Sequence, residues 1–235
     1  MIEIKQLQKK YHKLVVLKGI DLDISGRGVI ALLGPNGSGK TTLIKCILGM
    51  VLPSGGQISF NGENIKGKNE YRNDIDYLPQ IAQFPENLSA IEIIELMKSF
   101  KQGETREKAL IQLFGLEREL EKKMMNLSGG NRQKINLVIA LMHDSPVIIL
   151  DEPSTGLDPL SITRLKSFLR NESNRGKLIL LTTHIMSLAE GMAEKVIFLL
   201  DGRIRFNGMM TELLDMQGGQ DLESSIAQLL DNETV

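Results

Sequence analysis

A glycine-rich loop followed by a lysine and two threonines is the part of this sequence with the clearest chemistry. Residues 34–42 have the sequence GPNGSGKTT and satisfy the pattern G-x-x-x-x-G-K-[ST]. Glycines let backbone amides curl around phosphate oxygens, and the helix predicted after the loop adds the partial positive charge of its first turn. We therefore expect Lys40 to meet the β- and γ-phosphates of a nucleotide and the Thr41 hydroxyl to ligate Mg²⁺. The alternative is a glycine-rich turn with an incidental lysine.

Two adjacent carboxylates lie near the end of the apolar segment 147–153, whose sequence is VIILDEP. A buried strand that delivers Asp151 beside the phosphate loop supplies a second anchor for Mg²⁺. Glu152 is expected to point the opposite way along the pleat, where it can polarise an attacking water. A solvated strand terminus is the alternative for an isolated acidic pair. The phosphate loop upstream favours the catalytic interpretation.

Hydrophobic patterning predicts the elements that must hold these residues in place. Three short apolar runs have the composition of strands covered on both faces: residues 29–33, 147–150 and 178–181. Helical segments separate them, and strands that alternate with helices indicate a parallel sheet. Asn61-Gly62 follows an alternating segment, and Asp201-Gly202 stands between residues 196–200 and 203–206, so both pairs predict antiparallel hairpins. From about residue 88 to residue 143 the spacing of apolar residues is helical.

Charge and composition argue against two broad classes of protein. The chain of 235 residues has 28 basic and 29 acidic side chains, so its charge gives no general attraction to nucleic acid or to an anionic membrane. No apolar segment approaches the roughly 18 residues needed to span a bilayer. The single cysteine, Cys46, cannot form an internal disulfide, which suits a reducing cytosol. We expect no nucleic-acid partner, and we expect any membrane role to depend on another protein.

A second glycine-containing motif, further along the chain, distinguishes one family among the proteins that have a phosphate loop. Residues 127–130 have the sequence LSGG and stand just before the strand with the acidic end. Ser128, Gly129 and Gly130 can form a helix N-terminus with exposed amides, which suits a γ-phosphate. Ser128 is also the expected N-cap of the following helix. With this segment the chain resembles the ABC ATPase family, in which that phosphate belongs to the other subunit, so that two chains enclose two ATP molecules head to tail.

Further residues match the motifs of this family in order over nearly the whole chain. The resemblance assigns Gln80, in IDYLPQ, to sensing Mg²⁺ and the attacking water. It assigns His184, at the end of LILLTTH, to contacting the γ-phosphate. Residues 154–158 (STGLD), which include Asp158, resemble the loop that couples the two active sites across the dimer. Tyr11 matches the aromatic residue on which adenine stacks, and Val16 is expected nearby.

The site implied by these residues and by the resemblance has three parts. The expected nucleotide-binding residues are Tyr11, Val16, Gly34, Pro35, Asn36, Gly37, Ser38, Gly39, Lys40, Thr41, Thr42, Ser128, Gly129, Gly130 and Asp158. The expected catalytic residues are Glu152, His184, Gln80 and Lys40. The expected ligands of Mg²⁺ are Thr41, Gln80 and Asp151.

The resemblance also implies the ABC ATPase fold, which is an α/β fold. It consists of a P-loop NTPase core with a mostly parallel sheet, an antiparallel β subdomain and an inserted α-helical subdomain. We expect one domain over residues 1–235, with the helical subdomain at about residues 85–143 and a tail helix within 216–235. The helical subdomain matches the lobe that contacts a membrane subunit. The resemblance implies an ATPase that forms a homodimer on ATP binding and drives an integral-membrane transporter subunit from the cytoplasmic face of the inner membrane.

The sequence disfavours two rival functions. Soluble ABC ATPases of repair, translation or chromosome maintenance resemble tandem modules or carry long coiled-coil insertions, and this sequence has neither. A purely regulatory module is disfavoured because Glu152 and His184 are both present. The chain resembles export-type ATPases, and residues 78–100 are similar to those of subunits for copper-site maturation of nitrous oxide reductase. Asn131 stands where the family usually has glutamine, and we expect it to tune the rate rather than abolish it.

Overall fold

Strands and helices alternate along most of the chain in the computed structural model, which describes residues 1–101, 103–216 and 221–231. The strands in chain order are β1 (Ile2–Tyr11), β2 (Leu14–Ile24), β3 (Gly28–Leu33), β4 (Gly55–Phe60), β5 (Glu63–Asn64), β6 (Ile75–Leu78), β7 (Val147–Asp151), β8 (Leu178–Thr182), β9 (Lys195–Leu200) and β10 (Arg203–Met209). The α-helices in chain order are α1 (Lys40–Ile47), α2 (Ala90–Ser99), α3 (Glu107–Phe114), α4 (Gly129–Leu141), α5 (Pro159–Asn174), α6 (Met186–Glu190), α7 (Met210–Met216) and α8 (Leu222–Asp231).

A six-stranded sheet with the order β10-β9-β3-β8-β7-β6 forms the centre of the molecule. The strands from β9 to β6 are parallel, and β10 pairs antiparallel with β9 through the predicted Asp201-Gly202 turn. Every residue of β3, β7 and β8 is buried, as their continuous apolar composition predicted. Because these strands are parallel, the phosphate loop after β3 and the acidic residues at the end of β7 come to the same edge of the sheet.

A second, antiparallel sheet has the order β2-β1-β4-β5. Its buried side chains, among them Ile4 and Leu17, form one apolar cluster with Leu43 of α1 and Ile149 of β7. The predicted Asn61-Gly62 turn joins β4 to β5, and Asn61 and Gly62 both have positive φ angles of 51° and 82°. The predicted α/β fold class, with a mostly parallel core sheet and an antiparallel β portion, is confirmed.

Three helices, α2 to α4, lie between β6 and β7 in the chain, as the helical periodicity predicted. The first begins with a capping box, in which the Ser89 hydroxyl accepts from the Glu92 amide and the Glu92 carboxylate accepts from the Ser89 amide. Apolar side chains such as Ile93, Phe114 and Leu137 join the cluster on the opposite face of the central sheet. The helices therefore form an apolar unit that packs on the same sheet that holds the acidic residues.

The end of the described chain contains two short helices, α7 and α8. The first was not predicted from the sequence. The second lies within the region where a tail helix is expected, and residues 217–220 and 232–235 of that region lie outside the described residues. Leu222 and Ile226 of α8 are buried in the same cluster as Leu188 of α6. None of the helices within the described ranges combines the length and apolarity that a membrane crossing requires.

Candidate functional site

The phosphate loop leaves β3 at Gly34 and enters α1 at Lys40. The Lys40 ammonium donates hydrogen bonds to the carbonyl oxygens of Gly34, at 2.7 Å, and Pro35, at 3.1 Å. Burial lowers the pKa of Lys40, while the nearby carboxylates of Glu152 and Asp151 act in the opposite direction. The lysine is therefore a buried cation at the opening of the loop, held by two carbonyl groups and close to both acidic residues.

Glycine is required in this loop because other backbone atoms approach it closely. A Cβ atom added at Gly34 would lie 2.1 Å from the carbonyl oxygen of Leu199, and one added at Gly39 would lie 2.9 Å from a methyl carbon of Leu17. The carbonyl oxygen of Val16 lies 3.3 Å from the same position at Gly39, so Val16 packs against the loop. Ser38 is buried, and its carbonyl oxygen accepts a hydrogen bond from the Gly202 amide at 3.1 Å.

Asp151 is the last residue of β7 and is 1% exposed. One of its carboxylate oxygens, Oδ1, accepts a hydrogen bond at 2.5 Å from the hydroxyl of Thr182, the residue opposite Asp151 in β8. The other, Oδ2, is buried and has no hydrogen-bond partner among the described residues. A buried carboxylate oxygen without a donor is costly unless a cation meets it, so this atom fits a metal ligand.

Glu152 follows directly and adopts a left-handed backbone conformation with φ of 55°, which is uncommon for a residue with a side chain. Its amide donates to the carbonyl oxygen and the hydroxyl oxygen of Thr182, at 3.2 and 3.0 Å. Its side chain is 5% exposed, and Oε2 lies 2.8 Å from Nδ1 of His184, which is 61% exposed. Two of the predicted catalytic residues are thus in direct contact.

Ser128 begins α4 as its N-cap, as predicted, and its hydroxyl oxygen accepts from the Asn131 amide at 3.2 Å. Ser128 and Gly129 are exposed. A Cβ atom added at Gly130 would lie 2.9 Å from the carbonyl oxygen of Gly156, so the LSGG segment and the STGLD segment touch. Among the described residues, no hydrogen bond or ion pair joins Ser128 or Asp158 to residues 34–42.

Asp158 caps the next helix, α5, by accepting from the Ser161 amide at 2.9 Å. Its second oxygen pairs with Lys134 of α4 at 2.8 Å. The pKa of the Asp158 carboxyl is lowered by the hydrogen bond from Lys134 and then by those from Ser161. Gln133, one residue before Lys134, donates to the carbonyl oxygen of Pro153 at 3.2 Å. The segment after Glu152 is therefore tied to the helix that begins at Ser128.

Tyr11 and Gln80 lie at the surface. Tyr11 ends β1, its side chain is 41% exposed, and the Lys9 ammonium lies 4.6 Å from its ring centroid. Gln80 is exposed two residues beyond β6, whose Leu78 pairs with Leu150 of β7. It therefore follows the strand beside Asp151, at the same edge of the sheet.

Sequence reasoning missed Thr182, Gln133 and Lys134. Thr182 bonds both Asp151 and the Glu152 amide, and it is itself fully buried. The signal for it was present, because a threonine at the end of an apolar strand cannot be buried without a polar neighbour. Its partner could be identified only from the register of β7 and β8.

Comparisons with known proteins agree with one another. The sequence pattern of the family described as ABC transporter matches residues 17–155. The Nod factor export ATP-binding protein I of Cupriavidus pinatubonensis is 33% identical over 98% of this chain and 73% of its own length. The ABC-type transporter ATP-binding protein EcsA of Bacillus subtilis is 32% identical over 94% of this chain and 92% of its own length.

Solved structures with the same fold include an ATP-binding subunit of an ABC transporter. It has a TM-score of 0.90 and 32% identity, and the match covers 98% of this chain and 99% of that chain. A dimeric bacterial ABC transporter cassette matches with a TM-score of 0.79 and 25% identity, over 89% of this chain and 99% of that chain.

Proposed function

This chain belongs to the ABC transporter family, and from that premise we propose how its residues bind and hydrolyse ATP and drive transport. It is an ATP-binding and ATP-hydrolysing subunit of a transporter, and the curated relatives named for Nod factor export favour an exporter. The observation that carries the proposed mechanism is the contact of Glu152 with His184 beside Asp151 and Lys40.

Residues 34–42 are assigned to the phosphates, with Lys40 at the β- and γ-phosphates. The two carbonyl groups that now hold its ammonium can be exchanged for phosphate oxygens, which are stronger acceptors for a buried cation. Tyr11 and Val16 are assigned to adenine, because Val16 packs against the loop and one face of an exposed ring can stack on a base.

Thr41, Asp151 and Gln80 are assigned to Mg²⁺. The buried Oδ2 of Asp151 supports this assignment, since it is an acceptor without a donor among the described residues. Mg²⁺ bound there would neutralise charge that develops on the β- and γ-phosphate oxygens. Thr182 keeps the Asp151 carboxylate in place by donating to its other oxygen.

Glu152 is assigned to the attacking water, which it orients and whose proton it accepts. The left-handed backbone conformation of Glu152 turns its side chain away from the direction of β7. The buried carboxylate then lies against His184. His184 is assigned to the γ-phosphate. Since phosphoryl transfer needs little covalent help, positioning and neutralisation of charge supply most of the acceleration.

Ser128, Gly129, Gly130 and Asp158 are assigned to a second ATP, bound by the other protomer of a homodimer. Ser128, Gly129 and Asp158 are exposed, and among the described residues no hydrogen bond or ion pair joins Ser128 or Asp158 to residues 34–42, which supports this assignment. The similarity to a dimeric cassette supports it as well. We propose that ATP joins two chains head to tail and that their separation after hydrolysis is transmitted to a membrane partner.

A groove of about 410 Å³ supports the proposal of a membrane partner. It lies between the end of α1, the segment after β6, and helices α2 and α4. Ile81 and Met50 in its lining are 76% and 57% exposed, so the groove presents two large apolar side chains to a partner. We propose that residues 85–143 act as a helical subdomain and that a cytoplasmic segment of the membrane subunit docks in this groove. The chain would then be held at the cytoplasmic face of the inner membrane.

Co-purification tests this assembly. The tagged chain is isolated from detergent-solubilised membranes of the source organism, with Ile81→Asp as the groove variant. Phe100→Asp is the matched control, because Phe100 is 74% exposed but lies outside the groove lining. We expect a stoichiometric multi-spanning protein with the wild type and the control, and its loss with Ile81→Asp. Recovery of all three proteins free of any membrane protein, or with ribosomes or DNA, would support a soluble ABC ATPase instead.

A further inference from the structure

Asn131 occupies the position where the sequence departs from the family it resembles, and its side chain has a specific partner. Its Nδ2 group donates a hydrogen bond to Oε2 of Glu119 at 3.0 Å. The other oxygen of Glu119, Oε1, accepts from Lys122 at 2.8 Å. The Glu119 side chain is 19% exposed, so the carboxylate is largely withdrawn from water and both of its oxygens are engaged.

The backbone of Asn131 connects this contact to Ser128. The Asn131 amide donates to the Ser128 hydroxyl oxygen at 3.2 Å. A serine hydroxyl has a single proton to donate. Since the oxygen already accepts from Asn131, its proton is free to point outward from the helix N-terminus, where Ser128 is exposed. The Asn131 amide therefore occupies one lone pair of the Ser128 oxygen and leaves the hydroxyl proton for an acceptor outside the helix.

Glu119 itself lies in a turn that is held by its own backbone. Its amide donates to the Leu116 carbonyl oxygen at 2.9 Å, and its carbonyl oxygen accepts from the Lys122 amide at 3.1 Å. Leu116 is fully buried. The turn is thus anchored in the helical unit through Leu116, which shares an apolar cluster with Ile135 and Leu137 of α4, and it can support the first turn of that helix.

We infer that Glu119 is a positioning residue for the ATP-dependent dimer, which acts through Asn131 to hold the Ser128 hydroxyl toward the γ-phosphate bound by the other protomer. This inference rests on the proposed role of Ser128 in the dimer. The side-chain amide supplies the donor that the Glu119 carboxylate needs, because a carboxylate can only accept.

Steady-state ATPase kinetics of six purified variants test the inference, with thermal unfolding measured for each. Glu119→Ala removes the acceptor, and we expect kcat to fall by about threefold to tenfold, the range that one net hydrogen bond covers. Glu119→Gln keeps an acceptor oxygen and should retain most of the activity. Lys122→Ala is the matched control, since it removes the ion pair of Glu119 and leaves the hydrogen bond to Asn131.

The most decisive pair of variants exchanges the donor and the acceptor of the hydrogen bond between residues 131 and 119. Asn131→Asp places two carboxylates against each other and should lower kcat at least as far as Glu119→Ala. Adding Glu119→Gln to that variant supplies an amide donor, and we expect it to recover most of the loss. If the hydrogen bond only stabilised the fold, the loss and recovery of kcat would be accompanied by a loss and recovery of the melting temperature. We expect kcat to change while the melting temperatures of the variants stay equal. An unrecovered double variant, or an equal loss with Lys122→Ala, would overturn the inference.

Ser128→Ala separates this inference from the proposed function. If Ser128→Ala lowers kcat and Glu119→Ala does not, the positioning role of Glu119 is wrong and the dimer site stands. If Ser128→Ala itself has wild-type kcat and wild-type dimerisation with ATP, the proposed dimer site is wrong. Loss of kcat in both variants, with recovery by the reversed pair, is the result expected here.

Discussion

Oε2 of Glu152 lies 2.8 Å from Nδ1 of His184, although the two residues are 32 positions apart in the chain. They come together because β7 and β8 are adjacent and parallel, with Asp151 opposite Thr182. A buried carboxylate next to an imidazole that is 61% exposed places a proton acceptor inside the site and a polar group at its opening. This geometry leads to the first of four predictions.

Replacing Glu152 by Gln should abolish turnover while ATP binding persists. The amide keeps the size of the side chain and loses its ability to accept a proton, so hydrolysis should slow by about 10²- to 10⁴-fold. Phosphate release measures the rate, and light scattering with ATP measures dimerisation, which should increase. Glu190→Gln, on the exposed end of α6, is the control. Turnover by Glu152→Gln at a rate close to that of wild type would show that another residue accepts the proton.

Replacing Gly34 by Ala should disrupt both the fold and the loop. The added Cβ atom would lie 2.1 Å from the carbonyl oxygen of Leu199, a backbone atom that cannot yield cheaply. The control is Gly176→Ala, where φ is 91° and no atom of the described residues lies within 4 Å of the added Cβ. It should cost about 1–2 kcal/mol through backbone strain alone. Thermal unfolding measures the stability of both variants, and a binding assay measures their affinity for ATP. Only Gly34→Ala should fail to bind ATP, and equal ATP affinities of the two variants would contradict this prediction.

Glu107 at the start of α3 should make stability dependent on pH. The hydrogen bond from Lys98, at 2.6 Å, and then that from Thr105 lower the pKa of Glu107 from 4.5 to about 2. Because the folded-state pKa is depressed, the ionised carboxylate stabilises the fold above about pH 4.5, and this contribution disappears as the pH falls toward 2. The difference in free energy of unfolding between wild type and Glu107→Gln should shrink over that range.

Denaturant unfolding at several pH values measures this difference. Lys98→Gln removes the partner of Glu107 and is the matched variant. The double variant should cost less than the sum of the two single variants, because both remove the same interaction. Strict additivity, or a difference that does not change between pH 5 and pH 2, would show that the pair contributes nothing.

Removing the Glu172 carboxylate should destabilise the junction between the segment before α3 and the core. This side chain is 5% exposed and meets Arg106 at 2.7 Å, Lys177 at 2.7 Å and Arg175 at 2.9 Å. Glu172→Ala leaves the buried Lys177 and the partly buried Arg106 with only the exposed Asp144 as a partner, and it should cost about 3–5 kcal/mol. The control is Asp144→Ala, because Asp144 shares these cations but is 51% exposed. It should cost only about 1 kcal/mol, and similar losses in free energy of unfolding for both variants would contradict the prediction.

Features that depend only on residues close together in the chain were predictable from the sequence alone. The phosphate loop consists of consecutive residues, so its glycines and Lys40 predict a phosphate-binding site without knowledge of the rest of the fold. The Asp201-Gly202 hairpin and the Ser128 cap were predictable for the same reason. Continuous apolar runs predicted buried parallel strands, since only strands covered on both faces can be apolar throughout.

Which of these segments come into contact depends on how the strands and helices pack together. Periodicity shows which way a side chain points, but it does not name the neighbouring strand or its register. The hydrogen bonds of Thr182 to Asp151 and Glu152, and the contact of Asn131 with Glu119, therefore could not be derived from spacing. These contacts join residues far apart in the chain, and they form only because burial of the apolar faces fixes the strand order and the helix positions. Local motifs therefore predict which residue types the site contains, and packing of the apolar faces fixes the distances between those residues.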